Sequence, residues 1–147
     1  MTTNTIKILY VEDDIEDLEL VKELLEQNQE SKFDILHADK LSKGLKLLDS
    51  NKIDVVLLDL SLPDCIGLDT FKMFRSKAPM IPIIVLTGTL LHRSEIRQCI
   101  DGSHEYLVKG YVDGHSLAKS ISNAIERQRL RKKLSEHFLD NGTNNKN

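Results

Sequence analysis

Four apolar stretches of this chain each stop at a residue able to do chemistry. Ile6–Val11 runs into Glu12, Asp13 and Asp14, and Ile53–Leu58 stops at Asp59. Ile83–Leu86 stops at Thr87, and Tyr106–Val108 stops at Lys109. Read as parallel strands, these runs deliver acids, a hydroxyl and an ammonium group to one sheet edge. The crevice beyond the carboxyl ends of the strands is where open parallel α/β sheets bind ligands. Packed carboxylates repel one another and persist by taking up a proton or a cation. Hard oxygen ligands select Mg2+, Mn2+ or Ca2+, and a sparse site with room for water and a phosphate favours Mg2+. Glu12, Asp13 and Asp59 are therefore candidate metal ligands. Asp14, Glu16, Asp17 and Glu19 read as an ordinary solvated acidic face.

Asp59 follows the most hydrophobic stretch, Val55–Leu58, and is the candidate nucleophile toward phosphorus. With an ordinary carboxylate pKa of about 4 it is ionised at neutral pH and needs no general base. Lys109 would supply positive charge opposite the metal, Thr87 a hydroxyl donor, and Gly88 room for close backbone approach. Positioning and charge neutralisation would then do the catalysis, as expected for phosphoryl transfer.

The elements that position these groups follow from periodicity. Apolar residues recur at helical spacing at Ile15, Leu18, Val21 and Leu25, at Leu41, Leu45 and Leu48, and at Leu117, Ile121 and Ile125. A third helix is expected over Leu68–Arg75, with Phe71 and Phe74 inward, and a short fourth over Ser94–Ile100. Between them lie short runs rich in Val, Ile and Leu, Phe33–Ala38 completing the set, and nearly continuous apolar runs suit strands covered on both faces. Strands alternating with helices predict an α/β fold with right-handed crossovers. The expected form is a doubly wound (βα)5, flavodoxin-like parallel sheet of five strands in the order 2-1-3-4-5.

Length and composition agree. At 147 residues the chain is expected to fold as one domain, and its charged and apolar fractions are those of an ordinary globular protein. The net charge of −3 gives no general pull toward nucleic acid or anionic membrane. There is no signal sequence and no membrane-length apolar run, so a cytoplasmic protein is expected. The two cysteines, Cys65 and Cys99, match no metal or redox spacing, and the five histidines have no ligand spacing and read as surface or loop residues. Past Ile125 the apolar stripe moves to Leu130, Leu134 and Phe138, a different side of the same helix, and Glu126–His137 holds five Arg or Lys against two Glu. Three segments are expected: a folded domain over 1–127, a helical extension or linker over 128–140, and a disordered tail over 141–147. The extension joins a partner helix, leads into a further domain, or is a frayed solvated helix.

LYVEDD (Leu9–Asp14), LLDLSLPD (Leu57–Asp64) with Gly67, VLTG (Val85–Gly88) and YLVKG (Tyr106–Gly110) together resemble the response-regulator receiver domain of two-component signalling. The resemblance covers about Ile6 to Arg127. It implies that Asp59 accepts a phosphoryl group from a histidine kinase or phosphotransfer protein, in a Mg2+-dependent reaction that Mn2+ could also serve. It makes Asp13 the main metal carboxylate, lets Glu12 act through water, and adds the backbone carbonyl of Ser61. It assigns Thr87 and Lys109 to the phosphoryl group and makes Thr87 and Tyr106 the switch residues. The chain would be a switch, not a metabolic enzyme, catalysing only its own phosphorylation and dephosphorylation. Its output partner would be a domain tethered through the last helix or a separate protein. Dimerisation is left open, and direct nucleic-acid binding is not expected. One departure stands out: the family usually has proline after the lysine, often in a cis bond, where this chain has Gly110.

Rival readings fit less well. A haloacid-dehalogenase-type hydrolase needs a second aspartate two residues after the nucleophile, where this chain has Ser61. A nucleotide binder of this fold would want a glycine- or hydroxyl-rich loop after the first strand, where Glu12–Asp17 is acidic. The remaining alternative is a pseudo-receiver, a protein-interaction module that works without phosphorylation.

Overall fold

The computed structural model describes residues 5–28, 30–88 and 105–144. The strands are β1 (Thr5–Val11), β2 (Lys32–Ala38), β3 (Val55–Leu58), the two-residue β4 (Ser61–Leu62) and β5 (Cys65–Ile66), β6 (Ile83–Thr87) and β7 (Glu105–Val108). The helices are α1 (Ile15–Glu26), α2 (Leu41–Ser50), α3 (Leu68–Lys77) and α4 (Gly114–Asn144). The helix expected over Ser94–Ile100, together with Cys99, His92 and His104, lies outside the described residues.

Five strands pair in the order β2-β1-β3-β6-β7, every pair parallel. Counting only these five, that is the expected 2-1-3-4-5 order. β4 and β5 form a separate antiparallel hairpin, which sequence reasoning missed because two-residue strands carry no periodicity. Alternation along β1 explains the two cores. Leu9 and Val11 pack with Leu41 and Leu48 of α2 and Phe71 and Phe74 of α3. Ile8 and Tyr10 face the other way, onto Leu18, Val21 and Leu25 of α1 and Leu117 and Ile121 of α4. Both faces of the central strands are thus dry, which is why those strands read as unbroken apolar runs.

Ile15 departs from expectation: it is 67% exposed, and the packed stripe of α1 begins one turn later at Leu18. Periodicity fixes a helix face but not how far along that face the covering surface extends. α4 also differs. It is one helix of 31 residues that continues to Asn144, past the tail expected from 141. Gly142 and the nearby asparagines are weak helix formers, each costing about 1 kcal/mol or less against alanine, so they do not force a break. Burial stops earlier than the helix does: Leu117, Ala118, Ile121 and Ala124 are buried, whereas every residue over 129–138 is exposed.

Candidate functional site

Register carries the reactive groups to one edge. Val11 lies opposite Leu58, and Leu58 opposite Val85, while Thr87 lies opposite Val108. The residues just beyond therefore meet. Backbone bonds extend the ladder past the strands: Glu12 N–H donates to Ala38 O (2.9 Å), Asp59 N–H to Val11 O (3.0 Å) and Lys109 N–H to Thr87 O (2.7 Å). Glu12 and Asp59 are buried, Asp13 is exposed, and all three offer carboxylate oxygens within 4.8 Å of one another. Asp14 turns away and caps α1, accepting from Glu16 N (2.9 Å) and Asp17 N (3.3 Å), so the solvated-face reading holds for it.

The electrostatics follow from burial. Asp59 does not keep the ordinary carboxylate value assumed from sequence. Desolvation first, then hydrogen bonding and charge from Glu12, push it up to about 7, against the opposing pull of Lys109 and the Ser61 amide. The Tyr10 hydroxyl is raised by burial and by Glu12, whose Oε1 it contacts at 3.0 Å. Lys109 is only 15% exposed, and its ammonium group donates to Glu12 Oε1 and lies 2.8 Å from Asp17 Oδ2 and 3.8 Å from Asp59 Oδ2. Burial alone would lower its pKa, but Asp17, Glu12 and Asp59 outweigh that and raise it. Three converging carboxylates are the oxygen donor set a hard divalent cation fits, and a cation there would favour the ionised form of Asp59.

The other expected residues fall as follows. Thr87 is buried at the end of β6, and Tyr106 is half-buried in β7 against the α2–α3 core layer. Ser61 is exposed at the start of β4, with its amide toward Asp59. No cis peptide bond occurs among the described residues, and Gly110 takes φ +86°, a conformation closed to proline. The Lys109 loop therefore turns by a route of its own, and Lys109 still reaches the cluster.

Four site residues escaped the sequence reading. Tyr10 shares a strand face with Glu12, and the two-residue spacing could have revealed it. His37 is not a surface or loop residue: it sits half-buried in β2, with Nε2 2.6 Å from Glu12 O. Asp17, read as solvated, pairs with Lys109 because the first turn of α1 overlooks the strand ends. Asp64, in the β4–β5 turn, accepts from Leu41 N (2.8 Å) and Ser42 N (3.0 Å). It thereby caps α2, whose own N-cap residue Lys40 makes no side-chain cap. Those amides hold the Asp64 carboxyl below its usual range.

Known proteins share this fold. A family model described as the response regulator receiver domain matches residues 8–123. The probable transcriptional regulatory protein SilR of Salmonella typhimurium is 37% identical over 115 residues, which make up 77% of this chain and 48% of SilR. The transcriptional regulatory protein CpxR of Escherichia coli is 35% identical over 113 residues, 77% of this chain and 47% of CpxR. The chain spans about half the length of these curated relatives. Among solved structures, a response regulator receiver domain protein from Clostridium thermocellum is similar at TM-score 0.71 and 32% identity, over 85% of this chain and 98% of that one. The response regulator protein TrrA of Thermotoga maritima, solved in complex with Mg(2+)-BeF, is similar at TM-score 0.69 and 28% identity, over 81% and 98% of the respective chains. No helix among the described residues is long and apolar enough to cross a membrane.

Proposed function

The chain belongs to the response regulator receiver domain family, and from that premise we propose that it is the phosphoacceptor module of a two-component system. The observation that carries this reading is the meeting of Glu12, Asp13 and Asp59, with Lys109 Nζ 3.8 Å from Asp59 Oδ2.

An Asp59 carboxylate oxygen attacks the phosphorus of a phosphohistidine on a kinase or phosphotransfer protein. The O–P bond forms as the P–N bond breaks, and the leaving imidazole takes a proton from solvent. Attack needs the ionised carboxylate, which Lys109 and the Ser61 amide favour against burial. Glu12, Asp13, Asp59 and the Ser61 carbonyl would hold Mg2+, or Mn2+ in its place, which when bound offsets the repulsion between carboxylate and phosphoryl group. Lys109 and Thr87 bind the phosphoryl oxygens. The new charge draws both inward, and Tyr106 changes packing with them, a population shift between two arrangements. Hydrolysis of the acyl phosphate returns Asp59, so the chain turns over no metabolic substrate.

SilR and CpxR are named as transcriptional regulators, which supports an output domain or protein downstream of the receiver, reached through α4. The setting is the cytoplasm. Intact-mass measurement after acetyl phosphate and Mg2+ tests the proposal. A single phosphoryl adduct that disappears with EDTA is expected. No adduct on folded protein would contradict it and leave the unphosphorylated interaction module.

A further inference from the structure

Three acids surround the Lys109 ammonium group, and they are not equivalent. Glu12 and Asp59 belong to the buried carboxylate cluster. Asp17 stands apart on α1, its side chain 34% exposed, with Oδ2 2.8 Å from Nζ. Asp59, at 3.8 Å, is within Coulombic reach but beyond hydrogen-bond distance. Lysine offers three donors on a flexible stem and acts as a compact point charge. The stem of Lys109 has room to swing, since it borders a cavity of about 230 Å³ lined also by Asp17, Leu20, Leu86, Gly110 and Val112. Gly110, next along the chain, has positive φ, and a Cβ there would meet nothing within 4 Å.

Glu12 and Asp17 hold Lys109 by hydrogen bonds while Asp59 lies 3.8 Å away, so a phosphoryl group on Asp59 draws the ammonium group against the pull of these two carboxylates. Water can replace the ammonium group at half-exposed Asp17, but not at Glu12, which is fully buried. We propose that Asp17 is a positioning residue that competes with the phosphoryl group for Lys109, and so weakens the hold of the site on phosphate. This rests on the receiver reading above. Asp17 acts twice in the same direction: it occupies the cation the phosphoryl group needs, and its own charge repels the incoming anion. Glu12 and Asp59 keep Lys109 near the site when Asp17 is removed, so the loss of Asp17 frees the lysine without casting it adrift.

Beryllofluoride, a phosphoryl mimic, tests this when titrated with Mg2+ into the full chain and its Asp17→Asn, Asp17→Ser, Lys109→Gln and Asp17→Asn/Lys109→Gln variants, with thermal unfolding to verify that each is folded. Both Asp17 variants should bind between about two- and five-fold more tightly than wild type, the scale of a partly exposed ion pair. The gain should shrink as salt is added and vanish in the Lys109→Gln background. Equal or weaker binding by the Asp17 variants would overturn the inference, because Asp17 would then merely brace the lysine. An undiminished gain without Lys109 would also overturn it, showing only a general charge effect. Failure of the wild type to bind would instead sink the receiver reading, and the inference with it.

Discussion

Strand β3 carries an aspartate at each end, and the two live very differently. Asp54, just ahead of the strand, accepts from Lys7 N at 2.8 Å while its own N–H donates to Lys7 O at 2.9 Å. Asp59, just after it, makes the matching backbone bond to Val11 O, but its carboxylate faces Glu12, Asp13 and Lys109. One acid finishes a ladder. The other is buried among like charges, with its proton held to about pH 7. Both acids flank the same strand, so what sets Asp59 apart is its company: neighbouring strands that end on acids and a lysine.

The largest test of that contrast is chemical. Asp59→Asn should abolish phosphoryl incorporation from acetyl phosphate, whereas Asp54→Asn should leave its rate within about two-fold, as for a change outside the reacting groups. Equal losses in the two variants, followed by intact mass, would erase the distinction.

The next is thermodynamic. Because the folded chain holds the Asp59 proton to about pH 7 and the unfolded chain releases it near 3.8, the folded state binds more protons between those values. Cation-free stability should therefore fall as pH rises through that window. Urea unfolding in EDTA across pH reads this slope. Saturating Mg2+, or Asp59→Asn, should flatten it, and stability that rises through the window would contradict the assignment.

Smaller effects sharpen the frame around the site. Asp64→Ala should lower the thermal midpoint by a few degrees and Asp64→Asn by less, since asparagine also caps helices. Leu134→Ser should leave the midpoint unchanged within error, because Leu134 is 56% exposed on the part of α4 that has left the core. A drop there would mean that the extension packs on its own domain.

Strand ends were legible in the sequence because strands buried on both faces leave unbroken apolar runs, and Glu12, Asp59, Thr87 and Lys109 punctuate them. What burial does to a charge was not legible. The strand ends already brought Glu12 and Asp13 beside Asp59, but the depth of its burial, the largest cause of its raised pKa, depends on how the whole sheet edge packs and is not written in the residue types. Asp17 and Asp64 escaped for a related reason: their partners, Lys109 and the first amides of α2, are 92 and 22–23 residues away along the chain. Gly110 was visible as a departure from the family pattern, but only its positive φ explains how the loop turns without proline.

The central claim is that Asp59 itself becomes the acyl phosphate, and borohydride trapping tests it most directly. Reduction after treatment with acetyl phosphate and Mg2+ converts a phosphorylated aspartate to homoserine, which peptide mass spectrometry can locate. Homoserine at position 59, dependent on Mg2+, is the predicted result. Homoserine at Asp13 or another acid, with Asp59 intact, would contradict the account.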